Sequence, residues 1–151
     1  MENTNIRKAT AADCEHLLEL VKELARYEHA PDEVTVSLDE FIEAGFGDHP
    51  VWEAFVAEVD GRIVGMSLFY IRYSTWKGRR LYLEDIVVTE HMRGKGLGKR
   101  LFDATWQLCQ HRGYSGMVWQ VLEWNEPAIR FYEKYGATFD GEWINVSLAR
   151  P

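Results

Sequence analysis

Sulfur, histidine and long apolar runs are all scarce in this chain. Its two cysteines, Cys14 and Cys109, form no CxxC pair. That excludes a disulfide framework and argues against a structural zinc site. The expected setting is reducing and cytoplasmic. Five histidines occur, none with HExxH or paired metal-ligand spacing, so no metal is expected. No apolar run approaches the roughly 18 residues that cross a bilayer. Met1–Lys8 also lacks the apolar stretch of a secretory leader, so no membrane association is expected. Repeats, linkers and low-complexity tracts are absent, and the 151 residues are expected to form a single domain, 1–151. Positive charge is in the minority: 17 basic residues face 24 acidic ones, for a net charge of −7. Without a basic stripe, no nucleic-acid partner is expected. An acidic surface draws in small cations.

What remains is a globular composition, 46% apolar and 27% charged. A chain of this size supports an ordinary hydrophobic core.

The periodicity predicts the elements in order. Asn5–Ala9 reads as a strand. Thr10 and Asp13 have capping-box spacing before a helix over 11–27. Ser37 starts a second, shorter helix that carries Phe41, Ile42 and Phe46 and ends at Gly45 or Gly47. Val51–Val59 and Arg62–Arg72 flank Asp60-Gly61, a two-residue hairpin turn. Leu81–Val88 is apolar except at Glu84 and Asp85, as a central strand covered on both faces would be. Lys95–Arg112 has a long amphipathic pattern. Met117–Leu122 reads as a strand, Pro127–Tyr135 as a helix stopped by Gly136, and Thr138–Ala149 as one or two final strands. The result is an α/β fold, with an antiparallel hairpin half and a βαβ half.

The chemistry concentrates between residues 81 and 112. Gly94, Gly96 and Gly98 lie between a strand and a helix, with Arg93, Lys95, Lys99 and Arg100 beside them. Glycines there permit positive φ and let backbone N–H groups face an anion at the helix start. The spacing is neither a Walker A loop nor a dinucleotide fingerprint. It reads either as a pyrophosphate cradle or as a glycine-rich turn with solvated charges. Glu84 and Asp85 point to opposite faces of a regular strand, so one of them, with Glu84 favoured, reaches a given pocket unless a bulge intervenes. A buried ion pair to Arg79 or Arg80 is the competing reading. Trp76, Trp119 and Trp124 are candidates for cation–π contacts, with core packing expected for at least two of them.

The pattern of Arg93, Gly96 and Gly98 after a strand and before a long helix resembles the acetyl-CoA signature of the Gcn5-related N-acetyltransferases (GNAT). The resemblance covers essentially the whole chain. It is nearest to the diamine (spermidine/spermine) and thialysine branch, through Ile6-Arg7, Ala9–Cys14, Lys22–Ala25, Tyr27-Glu28, Gly45-Phe46-Gly47, His49-Pro50, Leu81–Asp85, Glu123–Pro127, Phe131-Tyr132 and Gly136-Ala137.

The resemblance implies a mixed, mostly antiparallel central sheet with flanking helices and a splayed parallel strand pair. Acetyl-CoA would lie in that splay, paired with backbone of Ile86, Val87 and Val88. Its pyrophosphate would meet the amides of Arg93, Gly94, Lys95, Gly96, Leu97, Gly98 and Lys99. Asn125, Glu126 and Pro127 would border its other side. Tyr132 would donate the proton to the departing thiolate. Tyr27, Glu28, Glu84 and Asp85 would meet a small cationic amine, and Trp119 and Gln120 fall at positions that would face it.

The implied reaction is direct acetyl transfer to a primary amine in a ternary complex, on a polyamine, diamine or thialysine-like substrate. Relatives of this branch are homodimers, and the same is expected here. An ammonium group with a pKa near 10.4 is no nucleophile at neutral pH, so a carboxylate must anchor it and take its proton. Alternative readings are a non-catalytic acyl-CoA or polyamine sensor, and an acetyltransferase for a peptide or an aminoglycoside-like amine.

Overall fold

A computed structural model describes residues 3–151. Among these residues the chain forms two compact units, one ending at Gln120 and the other Val121–Pro151.

The first unit is built on one sheet. Its strands are β1 (Thr4–Lys8), β2 (Glu53–Val59), β3 (Arg62–Ser74), β4 (Gly78–Val88) and β5 (Met117–Val118). They lie in the order β1-β2-β3-β4-β5. The first four are antiparallel neighbours, and β5 joins β4 in parallel. Asp60 (φ 50°) and Gly61 (φ 80°) make the predicted hairpin turn, both residues adopting the positive φ that a type I′ turn requires. Helices α1 (Cys14–Tyr27) and α2 (Leu38–Phe46) supply one apolar layer, and α3 (Leu97–His111) another.

Two clusters reflect the alternation of the strands. Leu17, Leu18 and Phe41 pack with Val56, Met66, Leu68 and Val87. Val59, Val64 and Ala57 pack with Met92, Leu97 and Leu101. The two polar groups inside the α3 layer satisfy each other: Ser67 and Thr105 share a 2.7 Å hydrogen bond.

The start of α1 is held by a network the cap spacing anticipated. Asp13 accepts from the Thr10 amide at 2.7 Å and from both Arg7 terminal nitrogens at 2.8 and 3.0 Å. Arg7 above all, with help from the Thr10 amide, lowers the Asp13 carboxyl from 3.8 to about 2. Its stabilising share is therefore complete above about pH 4 and is lost as pH falls through 2. Asp13→Ala should destabilise the fold by about 1–3 kcal/mol. Urea titration at pH 7 reads that loss, and the difference from the parent should shrink towards pH 2.

Four expectations are corrected. The β3–β4 hairpin is longer than Arg62–Arg72 and Leu81–Val88, because Tyr73 pairs with Arg79 and Ser74 with Gly78. The arginines hide strand character from an apolar pattern, and Arg72 rests over the Tyr82 ring at 5.5 Å. The strand expected over Met117–Leu122 is only Met117–Val118, paired with Leu81 and Tyr82. The ladder stops at Tyr82, two residues before Glu84, where β4 has an irregularity.

Thr138–Ala149 forms no strand. A strand needs a partner edge as well as propensity, and Trp143, Ile144, Val146 and Leu148 stand 75–100% exposed. Two of the three tryptophans also differ from expectation: Trp76, in the β3–β4 turn, and Trp124 are exposed. Trp119 packs edge-on against Phe102.

The second unit contains α4 (Glu126–Glu133). Asn125 caps it by accepting from the Ala128 amide, Pro127 sits in its first turn, and Gly136 (φ 75°) follows.

Candidate active site

The strand that carries Glu84 and Asp85 is not regular. Leu68 of β3 faces Asp85, but the next residue, Phe69, faces Leu83. Glu84 is the extra residue of a β-bulge, so the alternation slips by one. Leu83 goes to the α3 side with Phe69. Asp85 goes to the α1–α2 side with Leu68 and Val87. Glu84 joins it there, beside Tyr70 and Tyr82. Both carboxylates thus line one cavity of about 320 Å³, with apolar walls from Val21, Val36, Phe41, Trp52 and Leu68. Glu40 and Glu43 of α2 lie on its rim.

The two acids differ in environment. Glu84 is exposed and accepts from the Tyr70 hydroxyl at 2.7 Å. Burial, then the Glu84 carboxylate, pushes the Tyr70 phenol well above its ordinary value, so it remains a protonated donor. Asp85 is raised from 3.8 to about 7. Burial is the main cause, with smaller contributions from the charges of Glu84 and Glu28. A carboxyl poised near neutral pH beside an acidic neighbour can hold a cation and take a proton from it. Glu28, at the end of α1, is itself raised by burial.

The glycine run adopts the backbone its composition implies. Gly94 and Gly96 both have φ 79°, and a side chain at either would meet only open space. Gly96 is the N-cap of α3, so the leading amides of that helix, Leu97 and Gly98 among them, have no intrahelical acceptor. Gly98 has ordinary φ, and its nearest neighbour to an added Cβ would be the Val88 side chain at 4.0 Å. The Arg93 side chain turns away from the run. Its Nε donates to the Val88 carbonyl at 2.9 Å, and its guanidinium lies over the Tyr27 ring at 5.4 Å. The Arg93 amide donates to the Glu90 carbonyl.

Beyond Tyr82 the β5-facing edge of β4 has no ladder partner in β5. Glu84 to Val88 therefore border a splay between two parallel strands. In the second unit, α4 holds Tyr132, whose side chain is buried and set edge-on to Phe131 at 5.6 Å.

A model of the acetyltransferase (GNAT) family matches residues 14–137. The chain belongs to that family. GNAT proteins of known activity are similar to it over most of its length. It is 38% identical over 140 residues to the thialysine N-epsilon-acetyltransferase of Bos taurus, covering 87% of this chain and 82% of that one. It is 34% identical to a human spermidine/spermine N(1)-acetyltransferase-like protein over 91% of this chain and 21% of that longer one. The structure of aminoglycoside N-acetyltransferase AAC(6')-Iy in complex with CoA superposes with TM-score 0.73 at 21% identity, covering 100% of this chain and 96% of that one. The splayed parallel pair and the mostly antiparallel sheet are this family's fold, and the protein is an N-acetyltransferase. No described helix is long and apolar enough to cross a membrane.

Of the residues expected to meet the amine, Glu84 and Asp85 both line the cavity, where one alone was expected unless a bulge intervened. Glu28 adds its charge to Asp85, and the Tyr27 ring lies under Arg93. Sequence reasoning missed Glu23, which bonds the loop after β4 from α1. Its only signal was its place four residues before Tyr27.

Proposed function

We propose that this protein transfers acetyl from acetyl-CoA to a primary amine of a small cationic substrate, a diamine, polyamine or thialysine-like amine. The observation that carries the reading is the bulge that puts Glu84 and Asp85 together in an apolar-walled cavity. Every ionisable group lining that cavity is acidic. A cation entering it gains Coulomb attraction in a setting of low dielectric, and its methylenes meet the Val21, Phe41, Trp52 and Leu68 walls.

Glu84 anchors the ammonium, and Asp85 accepts its proton. The apolar surroundings that lift Asp85 towards 7 also oppose the charged form of an ammonium placed there, while the carboxylates favour it, so Asp85 is the group that must draw off the proton. Tyr27 and Glu28 complete the acceptor side, with Gln120 bordering it; Trp119, expected there too, packs on Phe102 in the α3 layer and is not part of it.

Acetyl-CoA supplies the activated acyl group. The backbone of Ile86, Val87 and Val88 borders its arm. The amides from Gly94 to Lys99 receive its pyrophosphate, as helix starts do for anions. Asn125, Glu126 and Pro127 flank it, and the Tyr132 phenol gives the leaving thiolate its proton.

The family match runs through both units, which supports a single transferase domain. Two buried free cysteines accord with a reducing, cytoplasmic setting. The exposed apolar tail residues support a homodimer, and light scattering on a sizing column tests that.

The deciding experiment is CoA-thiol release with spermidine, spermine, putrescine, thialysine, lysine and a basic peptide. Turnover with a small diamine or thialysine supports the reading. Binding of acetyl-CoA without turnover on any amine moves the protein to a sensor role. A second check uses Gly98→Ala. The protein itself has room for that methyl, so the melting temperature should hold while KM for acetyl-CoA rises at least tenfold, since Gly98 lies where the backbone approaches the anion.

A further inference from the structure

We infer that Glu23, on α1, is a positioning residue that fixes the acetyl-donor loop and the acceptor side of the site to each other. This rests on the acetyl-transfer reading above.

Glu23 sits one helical turn before Tyr27 and faces the segment that leads from β4 into the glycine run. Its Oε1 accepts from the Thr89 hydroxyl at 2.7 Å. Its Oε2 accepts from the Glu90 amide at 3.0 Å and lies 3.5 Å from Nη2 of Arg93. The Glu90 amide opens the short 3-10 turn Glu90–Met92 and would otherwise be an orphan donor. Met92, at the other end of that turn, is buried in the α3 layer.

Arg93 completes the device. Its guanidinium touches Glu23, the Val88 carbonyl and the Tyr27 ring together. These partners occupy it on the α1 side, so its charge serves the joint between loop and helix rather than an incoming phosphate. Glu23 therefore sets where the loop amides begin, and through Arg93 it sets the Tyr27 ring. A group with three partners on one loop and a shared partner with an acceptor residue should affect the binding of both substrates, not the chemical step.

The test compares Glu23→Gln, Glu23→Ala and Arg93→Lys with the parent. Acetyl-CoA dissociation is read by calorimetry, and KM and kcat are read with the best amine. Glu23→Ala should weaken acetyl-CoA binding and raise the amine KM, each roughly five- to thirtyfold, with kcat at saturation within about threefold. Glu23→Gln keeps the acceptor oxygen but not the charge and should fall between. Arg93→Lys, which loses the Nε bond and the planar stack, should raise the amine KM more than the acetyl-CoA constant.

Unchanged constants for both ligands in the Glu23 variants overturn the inference. So does a fall in kcat alone that tracks the folded fraction seen by circular dichroism. A parent that turns over no amine sinks the acetyl-transfer reading instead, while the calorimetric arm still decides whether Glu23 places the loop.

Discussion

Asp85→Asn should lower kcat/KM by about 10²–10⁴-fold, the range for losing a positioned general base, and should at the same time make the protein more stable above neutral pH. Both effects have one cause. Burial among Leu68, Phe41 and Trp52 opposes the charged carboxylate and raises Asp85 to about 7. Between its ordinary 3.8 and about 7 the folded state holds a proton that the unfolded state has released, so stability falls as pH rises through that window. Asparagine keeps the shape and never charges. Thermal melts should therefore nearly coincide for parent and variant at pH 3, below the unfolded value of 3.8, and favour the variant by several degrees at pH 8. In the parent, kcat/KM should rise with pH through about 7, and that limb should vanish in the variant. A variant that retains full activity with the limb intact would remove Asp85 as the base and leave Glu84 as the remaining carboxylate of the pair.

Tyr132→Phe tests the other proton. The phenol, ordinarily near pKa 10, can protonate a departing thiolate, and the substitution deletes only its oxygen. The ring is buried and phenylalanine retains it, so the fold should survive with a small change in melting temperature. Loss of the acid should appear in kcat, by about 10²-fold, with both KM values within a few-fold, the pattern of an interaction made only in the transition state. Steady-state kinetics at saturating acetyl-CoA read this directly. An unchanged kcat would keep the enzyme and dismiss Tyr132 as its acid. If Asp85→Asn and Tyr132→Phe serve opposite ends of one reaction, the Phe variant should keep the pH limb that the Asn variant loses.

Much of the site was legible because its requirements are local. Gly94, Gly96 and Gly98 were singled out for positive φ; the first two have it, and Gly98, already inside α3, does not. Thr10, Asp13, Ser37 and Asn125 announced helix starts, and each begins a helical segment. Asp60-Gly61 announced a hairpin and makes one. Such features depend on a few consecutive residues. The GNAT assignment used the same kind of signal, since a glycine-spaced helix start between a strand and an amphipathic helix is a short-range pattern.

The failures were of another kind. Thr138–Ala149 has the apolar residues of a strand and forms none, because ladder bonds need an edge that propensity does not supply. β5 stops at Val118 because its neighbour is about to bulge. The long β3–β4 hairpin was masked by arginines that pair with tyrosines across it. Glu23 read as an ordinary helix carboxylate, since nothing near it in sequence shows that Thr89, Glu90 and Arg93 return to it from 66 or more residues away.

By itself the sequence determined the layered α/β class, the glycine-bearing start of α3, the presence of two adjacent acids in an apolar strand, and the family. Tertiary structure decided which way those acids point. A strand's alternation is an internal rule, but its register belongs to the pair, and the slip between Leu68 and Phe69 is a property of β3 and β4 together. That one extra residue turns Glu84 and Asp85 from opposite faces of a sheet into two walls of one pocket. Burial beneath α1 and α2, with the charges of Glu84 and Glu28, raises Asp85 to about 7.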